Sequence, residues 1–351
     1  MKNILSIFII TILLFSCDTE TTNTGSTLMP DATGGADELM VFVNDAYFSE
    51  SLSKDIKSIM VEPYKILPQS EARFSISTVP YTKVNTILQR FINPIYVIAK
   101  DENSAFANDL SKFFTDEDKQ KLKSNKSMVL YKQNLWATDQ NVAIVIVETK
   151  DSIIATLQKY KPELENYFDN ANLKYYSKIA YINGVNATLN KQFKEYHNLT
   201  FDVPNGYVLA KNEKNMVLLR KDDAKSTLFL AFDIVNYSDS IPLNNLGIEK
   251  FDEVGKFIDS DKEGSFVAAD STLGYVVDKI EENGLVKYEN GGLWKMQNDL
   301  VGGGPFVNQY IIDNSKNRVI YVSGMIYGPA EKHKKKYMRQ FEAIFNSLKI
   351  D

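Results

Sequence analysis

The sequence has little of the chemistry that metal sites and redox sites require. It contains one cysteine and two histidines in 351 residues. Neither His197 nor His333 has a partner at the spacing of a metal-ligand motif, so the sequence predicts no metal and no cofactor. A Ser-His-acid triad would need one of these histidines, and no Gly-x-Ser-x-Gly elbow occurs in the chain. The sequence therefore argues against a zinc site, a catalytic cysteine and a hydrolase with a nucleophile elbow.

The sequence also lacks an excess of basic charge and, beyond its first residues, a long apolar run. Residues 17–351 carry 39 basic and 45 acidic side chains, a net charge of −6. A mildly acidic chain with mixed charges has no electrostatic footprint for nucleic acid, which we exclude as a partner. No stretch after the amino terminus reaches the roughly 20 apolar residues of a membrane-spanning helix.

What the sequence does have is an amino-terminal segment of the secretory type. Met1–Asn3 carries a positive charge, and the twelve residues Ile4–Phe15 are apolar apart from Ser6 and Thr11. A run of this length is too short to cross a bilayer and matches the core of a secretory signal. It ends in Leu14-Phe15-Ser16-Cys17, which resembles the lipobox of a bacterial lipoprotein signal.

This resemblance implies that residues 1–16 are removed and that Cys17 is the site of lipid attachment. More than one acyl chain on Cys17 would anchor the protein stably, whereas a single chain is marginal. Residues 17–37 are rich in Thr, Gly and Asp, which predicts a flexible tether. We expect a protein anchored in the cell envelope, at the outer membrane, on its periplasmic face or at the cell surface. The alternative is an ordinary signal whose cysteine is incidental.

The remaining chain is long for one core and predicts two α+β domains, residues 38–198 and 199–351. In the first, the strand-like runs 128–137 and 142–149 flank a short turn and predict a hairpin. A helical pattern follows from about residue 151 to 197, with Pro162 expected in the first turn of a second helix.

The second domain has mostly strand-like runs, with helices predicted over 243–257 and 331–348. We therefore expect mostly antiparallel sheets flanked by helices in both domains. The element order of the C-terminal domain is similar to that of the Mog1 type of sandwich, a likeness of fold only.

Several runs in the C-terminal half resemble a known family. They are Thr200–Tyr207, Gly292–Asp299, Gly303–Val307 and Tyr337–Lys349. Together with the lipobox they resemble an uncharacterised lipoprotein family of Bacteroidota, the domain of unknown function numbered 4837. The resemblance implies a lipid-anchored envelope protein and brings no assigned activity and no catalytic residues.

The candidate ligand or partner contacts are Trp294, Asp299, Gly303 and Tyr310. An aromatic shelf that includes Trp294 and Tyr310 would stack on a sugar, and packing in the core is the alternative. The glycine loop at Gly303 would approach a phosphate or ligand closely, or would form a turn between strands. Asp299 is the acid to watch for hydrolysis, and a turn aspartate is the alternative.

A basic run, His333–Lys336, begins the last predicted helix. It would contact anionic lipid head groups or form a solvated helix face.

For function, the sequence favours a non-catalytic, lipid-anchored protein that binds another component of the envelope, such as a partner protein. Two alternatives stay open. One is a hydrolase of envelope glycan or peptide, with Asp299 among its acids. The other is a carrier that binds a small apolar or sugar ligand between the two domains.

Overall fold

The structure, a computed structural model, describes most of the chain from residue 29 onwards. The described residues are 29–65, 67, 71–213, 215–237, 243–282, 285–299 and 302–350. The predicted signal and Cys17 lie outside the described residues.

The N-terminal domain is a five-stranded sheet in the order β2-β1-β3-β5-β4 with helices packed on it. Its elements are β1 Glu38–Val43, α1 Glu50–Met60, β2 Ser75–Pro80, α2 Thr86–Gln89, β3 Pro94–Ala99, α3 Ala105–Ser111, α4 Asp116–Ser124, β4 Met128–Gln133, β5 Asn141–Val147 and α5 Ile153–Ala180.

The pairing in this sheet is mixed, and three of its four strand pairs are parallel, unlike the mostly antiparallel sheet expected for this domain. β4 and β5 form the predicted antiparallel hairpin, whereas β1 pairs parallel with β2 and β3, and β3 pairs parallel with β5. Parallel neighbours require crossover connections, which the intervening helices supply. β5 is buried on both faces because α1 and α5 cover one side, while α3 and neighbouring aromatic side chains cover the other. Its continuous apolar run reflects this position.

The helix α5 differs from the prediction at Pro162. Instead of starting a second helix, Pro162 lies inside one continuous helix of 28 residues. α5 packs along α1 and β5 and continues to α8 of the C-terminal domain. Packing along its length therefore outweighs the one backbone hydrogen bond that a proline cannot donate.

The C-terminal domain is an eight-stranded sheet in the order β10-β12-β13-β14-β9-β8-β7, with β11 paired to β12. Its elements are α6 Ala187–His197, β6 Leu199–Thr200, β7 Val208–Glu213, β8 Met216–Asp223, β9 Ser226–Asn236, α7 Leu243–Gly255, β10 Phe266–Ala269, β11 Val276–Glu282, β12 Leu285–Gln297, β13 Gly303–Asp313, β14 Arg318–Tyr327, α8 Lys335–Phe345 and β15 Lys349–Ile350. Every pair of this sheet in the described residues is antiparallel.

Helices cover both faces of this second sheet. α6 and α8 pack on one face and α7 on the other. α8 lies directly against the sheet at Gly324, where an added Cβ would be 2.3 Å from the ring of Phe341. The molecule as a whole therefore has the predicted α+β class, two domains and mostly antiparallel pairing.

α6 packs with the C-terminal domain, although the predicted boundary at residues 198 and 199 leaves it in the N-terminal one. Leu189 and Phe193 on this helix belong to the core formed by α8 and the second sheet. The domains meet where α5 packs against α8, and this contact positions the site described next.

Candidate functional site

The two aromatic residues chosen from the sequence lie in the core of the C-terminal domain. Trp294 is 3% exposed, and its indole N–H donates a hydrogen bond to the carbonyl oxygen of Ile326 at 3.2 Å. Tyr310 is fully buried and stacks on Tyr288, with the ring centroids 5.0 Å apart. Both belong to the core under α7, because β12 and β13 are interior strands. They pack as core residues and present no open shelf for a sugar.

The glycine loop forms a turn between strands. Gly302 has φ of +122°, a conformation that favours glycine, and Gly303 starts β13 opposite Lys295. A Cβ at Gly304 would lie 2.1 Å from the carbonyl oxygen of Ile326, so the neighbouring strand also requires a glycine there. The backbone geometry accounts for these glycines without a phosphate.

Asp299 lies in the turn between β12 and β13. Its carboxylate accepts a hydrogen bond from Ser260 Oγ at 2.6 Å. Gly303 lies beside Trp294 in this region, whereas Tyr310 is farther along β13. The structure therefore does not gather the four candidate residues into one pocket.

The basic run before α8 serves a structural contact. Lys335 is buried, and its ammonium group lies 3.4 Å from the carboxylate of Asp37. The same group donates a hydrogen bond to the carbonyl oxygen of Ala72 at 2.7 Å. Lys335 thus connects α8 with the N-terminal domain. The sequence had suggested contact with lipid head groups or a solvated helix face for this run, and neither includes such a contact.

A large cleft lies between the two domains and has a volume of about 1070 Å³. α5 forms one wall, α8 and β15 form the second, and β11, β12 and β13 form the floor. The lining combines apolar and polar side chains: Asp169, Asn170, Leu173, Ile280, Val286, Lys287, Glu289, Gln309, Ile311, Ile312, Asp313, Asn314, Ser315, Arg339, Glu342, Asn346, Leu348, Lys349 and Ile350. Sequence reasoning missed all of these residues, which share no motif.

A charge network centred on Arg339 of α8 occupies one end of the cleft. The guanidinium pairs with Asp169 of α5 at 2.7 Å and with Glu342 at 3.3 Å. It also lies over the ring of Tyr64, 4.7 Å from the centroid. The Tyr64 hydroxyl donates a hydrogen bond to Glu342. Because Arg339 is buried, these carboxylates balance a charge that would otherwise be costly to remove from water.

The N-terminal domain extends this network behind Asp169. Arg73 pairs with Asp169 and, at 3.4 Å, with Glu165. Glu62 in turn pairs with Lys161. Burial lowers the pKa of Arg73 and raises the pKa of Glu165, as expected when charged groups leave water. The network therefore continues from one domain into the other with alternating charge.

Glu289 on the cleft floor stands apart from that network. No hydrogen bond or ion pair to its carboxyl occurs among the described residues, and the side chain is half-buried. Burial raises the pKa of Glu289, the nearby carboxylates of Glu342 and Asp278 add to this rise and Arg339 opposes it, so that the pKa is about 8. At neutral pH this carboxyl is therefore mostly protonated.

Residues 186–347 match the family model described as "Domain of unknown function (DUF4837)". The matched residues run from the start of α6 to just beyond α8 in the C-terminal domain. Residues 32–180 match a second family model, "Domain of unknown function (DUF8532)". No curated protein matches the chain. The C-terminal domain thus supplies the floor and one wall of the cleft, and the N-terminal domain supplies α5.

Three solved structures resemble parts of the chain. The Saccharomyces cerevisiae Ran-binding protein Mog1p is 10% identical over 44% of this chain and 92% of its own, with a TM-score of 0.27. A mutant of protein Mog1 is 11% identical over 43% and 90%, also at 0.27. Human StAR-related lipid transfer protein 5 is 9% identical over 50% and 96%, at 0.22. TM-scores this low do not establish a shared fold or function.

Two kinds of feature are absent from the described residues. These residues contain no helix that is long and apolar enough to cross a membrane. They also contain no group of three or more His, Cys, Asp or Glu side chains placed to hold a metal ion.

Proposed function

We propose that this protein is a lipid-anchored binding protein of the cell envelope whose ligand occupies the cleft between its two domains. The observation that carries the proposal is the cleft itself. Its volume of about 1070 Å³ is at the upper end of typical ligand pockets, which measure about 300–1,000 Å³. Both domains contribute to its walls, as expected for the carrier considered from the sequence.

The anchoring part of the proposal rests on the sequence. Leu14-Phe15-Ser16-Cys17 has the residues of a lipobox, and the family resemblance points to an envelope lipoprotein. A lipid on Cys17 and a tether would hold the two domains beside a membrane. The tether is shorter than the predicted residues 17–37, because Pro30 and Thr33 form backbone hydrogen bonds with the N-terminal domain. The ligand is then another component of the envelope.

The cleft also favours, less strongly, the hydrolase alternative. Glu289 is mostly protonated while Glu342 is paired as a carboxylate, and such differences mark acid and base in some enzymes. However, Glu342 already accepts a hydrogen bond from Tyr64 and pairs with Arg339, which occupies the oxygens that a base or nucleophile needs. Asp299, the acid expected from the sequence, does not line the cleft. Binding is therefore the better-supported function.

Native mass spectrometry of protein gently extracted from membranes tests this function. The variant Ile280→Arg places a long charged side chain on the cleft floor, at a residue that is 37% exposed. The matched control is Val277→Arg, at a similarly exposed residue on the opposite face of the same strand. We expect a copurifying mass on the wild-type protein and on the control, and its loss from Ile280→Arg.

The proposal fails if the extracted wild-type protein carries no ligand mass. It fails equally if Ile280→Arg retains the ligand as well as Val277→Arg does. Circular dichroism of both variants establishes that each is folded before the masses are compared.

A further inference from the structure

We propose that the cleft selects a cation: an organic ammonium group joined to an apolar part. This inference rests on the proposed binding function and specifies the chemistry of its ligand.

Glu289 and Gln309 on the cleft floor belong to a row of hydrogen-bond acceptors that continues to Asp278 beside the cleft. The strand register places Asp278 of β11 opposite Glu289 of β12, and Glu289 opposite Gln309 of β13. Side chains opposite one another on antiparallel strands share a face, with Cβ atoms about 4.5–5.5 Å apart. Three neighbouring strands therefore present two carboxyl groups and an amide side by side.

This row of acceptors is unfavourable without a hydrogen-bond donor beside it. Two ionised carboxylates directly opposite one another would destabilise the sheet, and the Glu289 carboxyl has no partner among the described residues. Gln309 is 5% exposed, and its Oε1 has no hydrogen-bond partner in the part of the chain that the structure describes. A buried acceptor without a donor costs about 1–3 kcal/mol. Both observations point to a ligand that brings N–H groups.

Within the described residues, none of the cations near Glu289 forms an ion pair with its carboxyl. Arg339 on α8 is shared between Asp169 and Glu342, and Lys65 lies 3.8 Å from Asp278, the residue opposite Glu289. Lys287 is the nearest basic residue on the same strand and face, and it belongs to the next row of the floor. An ammonium group has three N–H donors and a positive charge, which suits the acceptors and the unpaired carboxyl.

The next row of the floor indicates what the ammonium is attached to. Ile280, Lys287 and Ile311 lie opposite one another on the same three strands, and Val286 and Leu348 also line the cleft. No aromatic side chain lines the cleft in the described residues, so a stacking platform for a sugar ring is absent there. The apolar side chains suit an aliphatic part of the ligand.

Isothermal titration calorimetry with three matched probes tests the inference. The probes are n-hexylammonium, n-hexanol and n-hexanoate, which share an alkyl chain and differ in charge. We expect the ammonium to bind the wild-type protein and Glu289→Gln to weaken it by about 10- to 100-fold. The control is Glu281→Gln, which makes the same change at an exposed residue on the other face of β11 and leaves binding unchanged.

Proton release provides a second readout that a merely structural role of Glu289 would not produce. An ammonium group binds the ionised carboxylate, so binding near neutral pH releases the proton that Glu289 holds. The measured heat should then depend on the ionisation enthalpy of the buffer for the wild-type protein and not for Glu289→Gln. Affinity should rise with pH up to about 8, where Glu289 ionises.

The inference is overturned if hexanol or hexanoate binds as tightly as hexylammonium, if no probe binds, or if Glu289→Gln binds hexylammonium unchanged. These outcomes leave the native-mass result for Ile280→Arg untouched. Failure of the ligand class is thereby distinguished from failure of the proposed function.

Discussion

At the scale of single residues, Arg339 is the cation on which the charge network of the cleft wall depends. Its guanidinium is buried between Asp169 and Glu342 and lies over Tyr64. A buried ion pair contributes little net stability, yet removal of one partner leaves the other charge buried and unpaired. The ion pairs of Arg339 therefore add little to the net stability of the fold, whereas loss of Arg339 alone would be destabilising.

We expect Arg339→Met to lower the free energy of unfolding by up to about 3–5 kcal/mol, because the partly buried carboxylate of Glu342 loses its cation and Asp169 keeps only Arg73. Denaturant unfolding measures this change. Lys191→Met is the control, because Lys191 forms an exposed pair with Glu195 at 3.6 Å, and the loss should be below about 1 kcal/mol. Equal losses in the two variants would contradict the assigned role of Arg339.

At the scale of elements, α8 is positioned by close contact with β14. Gly324 lies under the ring of Phe341, and an added methyl group has no room between helix and strand. The approach matters for the site, because α8 carries Arg339 and Glu342 into the cleft wall. A shift of this helix would move both side chains relative to the floor.

Gly324→Ala should lower the free energy of unfolding by about 1–3 kcal/mol, because overpacking displaces α8 from the sheet. Thermal and denaturant unfolding measure the loss. Gly35→Ala is the matched control: there the new Cβ would approach only the flexible side chain of Glu38, at 3.3 Å. A control as destabilised as Gly324→Ala would show that the effect comes from losing a glycine and not from the helix contact.

Patterns within a single element were predictable, because hydrophobic periodicity is local. The β4–β5 hairpin and the apolar face of α8 follow directly from residue spacing. The ends of elements were harder: α8 starts at Lys335 and not at residue 331, and α5 continues through Pro162. In α5, packing against segments that are distant in sequence outweighs the preference of proline for the first turn of a helix.

The cleft could not be predicted from the sequence, because its side chains come from separated segments. Asp169, Glu289, Gln309 and Arg339 share no spacing that a motif would have. The raised pKa of Glu289 arises from burial and from neighbours on other strands and on α8. Trp294 was a candidate ligand contact because its aromatic ring can stack on a sugar. The same large apolar ring packs well in a core, where the structure places it.

At the scale of the whole molecule, Cys17→Ser tests the anchor separately from the fold. We expect the variant to keep its signal or to appear in the soluble envelope fraction, because serine cannot carry the thioether-linked lipid. Fractionation with immunoblotting and the intact mass distinguish these fates. A variant that is membrane-bound in the same amount and processed like the wild type would show that the protein is not a lipoprotein. Ser16→Ala, which keeps a small residue before the cysteine, is the matched control and should stay anchored.

The charge network also has a consequence for the order in which the chain folds during synthesis. Tyr64 meets Glu342 across 278 residues, and Asp169 meets Arg339 across 170. The N-terminal domain is synthesised first, and domains generally fold as units in that order. Arg73 and Asp169 can pair as soon as α5 has formed, but α8 and β15 follow the second sheet in the chain. The second wall of the cleft is therefore completed only when α8 and β15 dock, so a nascent protein passes through a state with a folded first domain and no cleft.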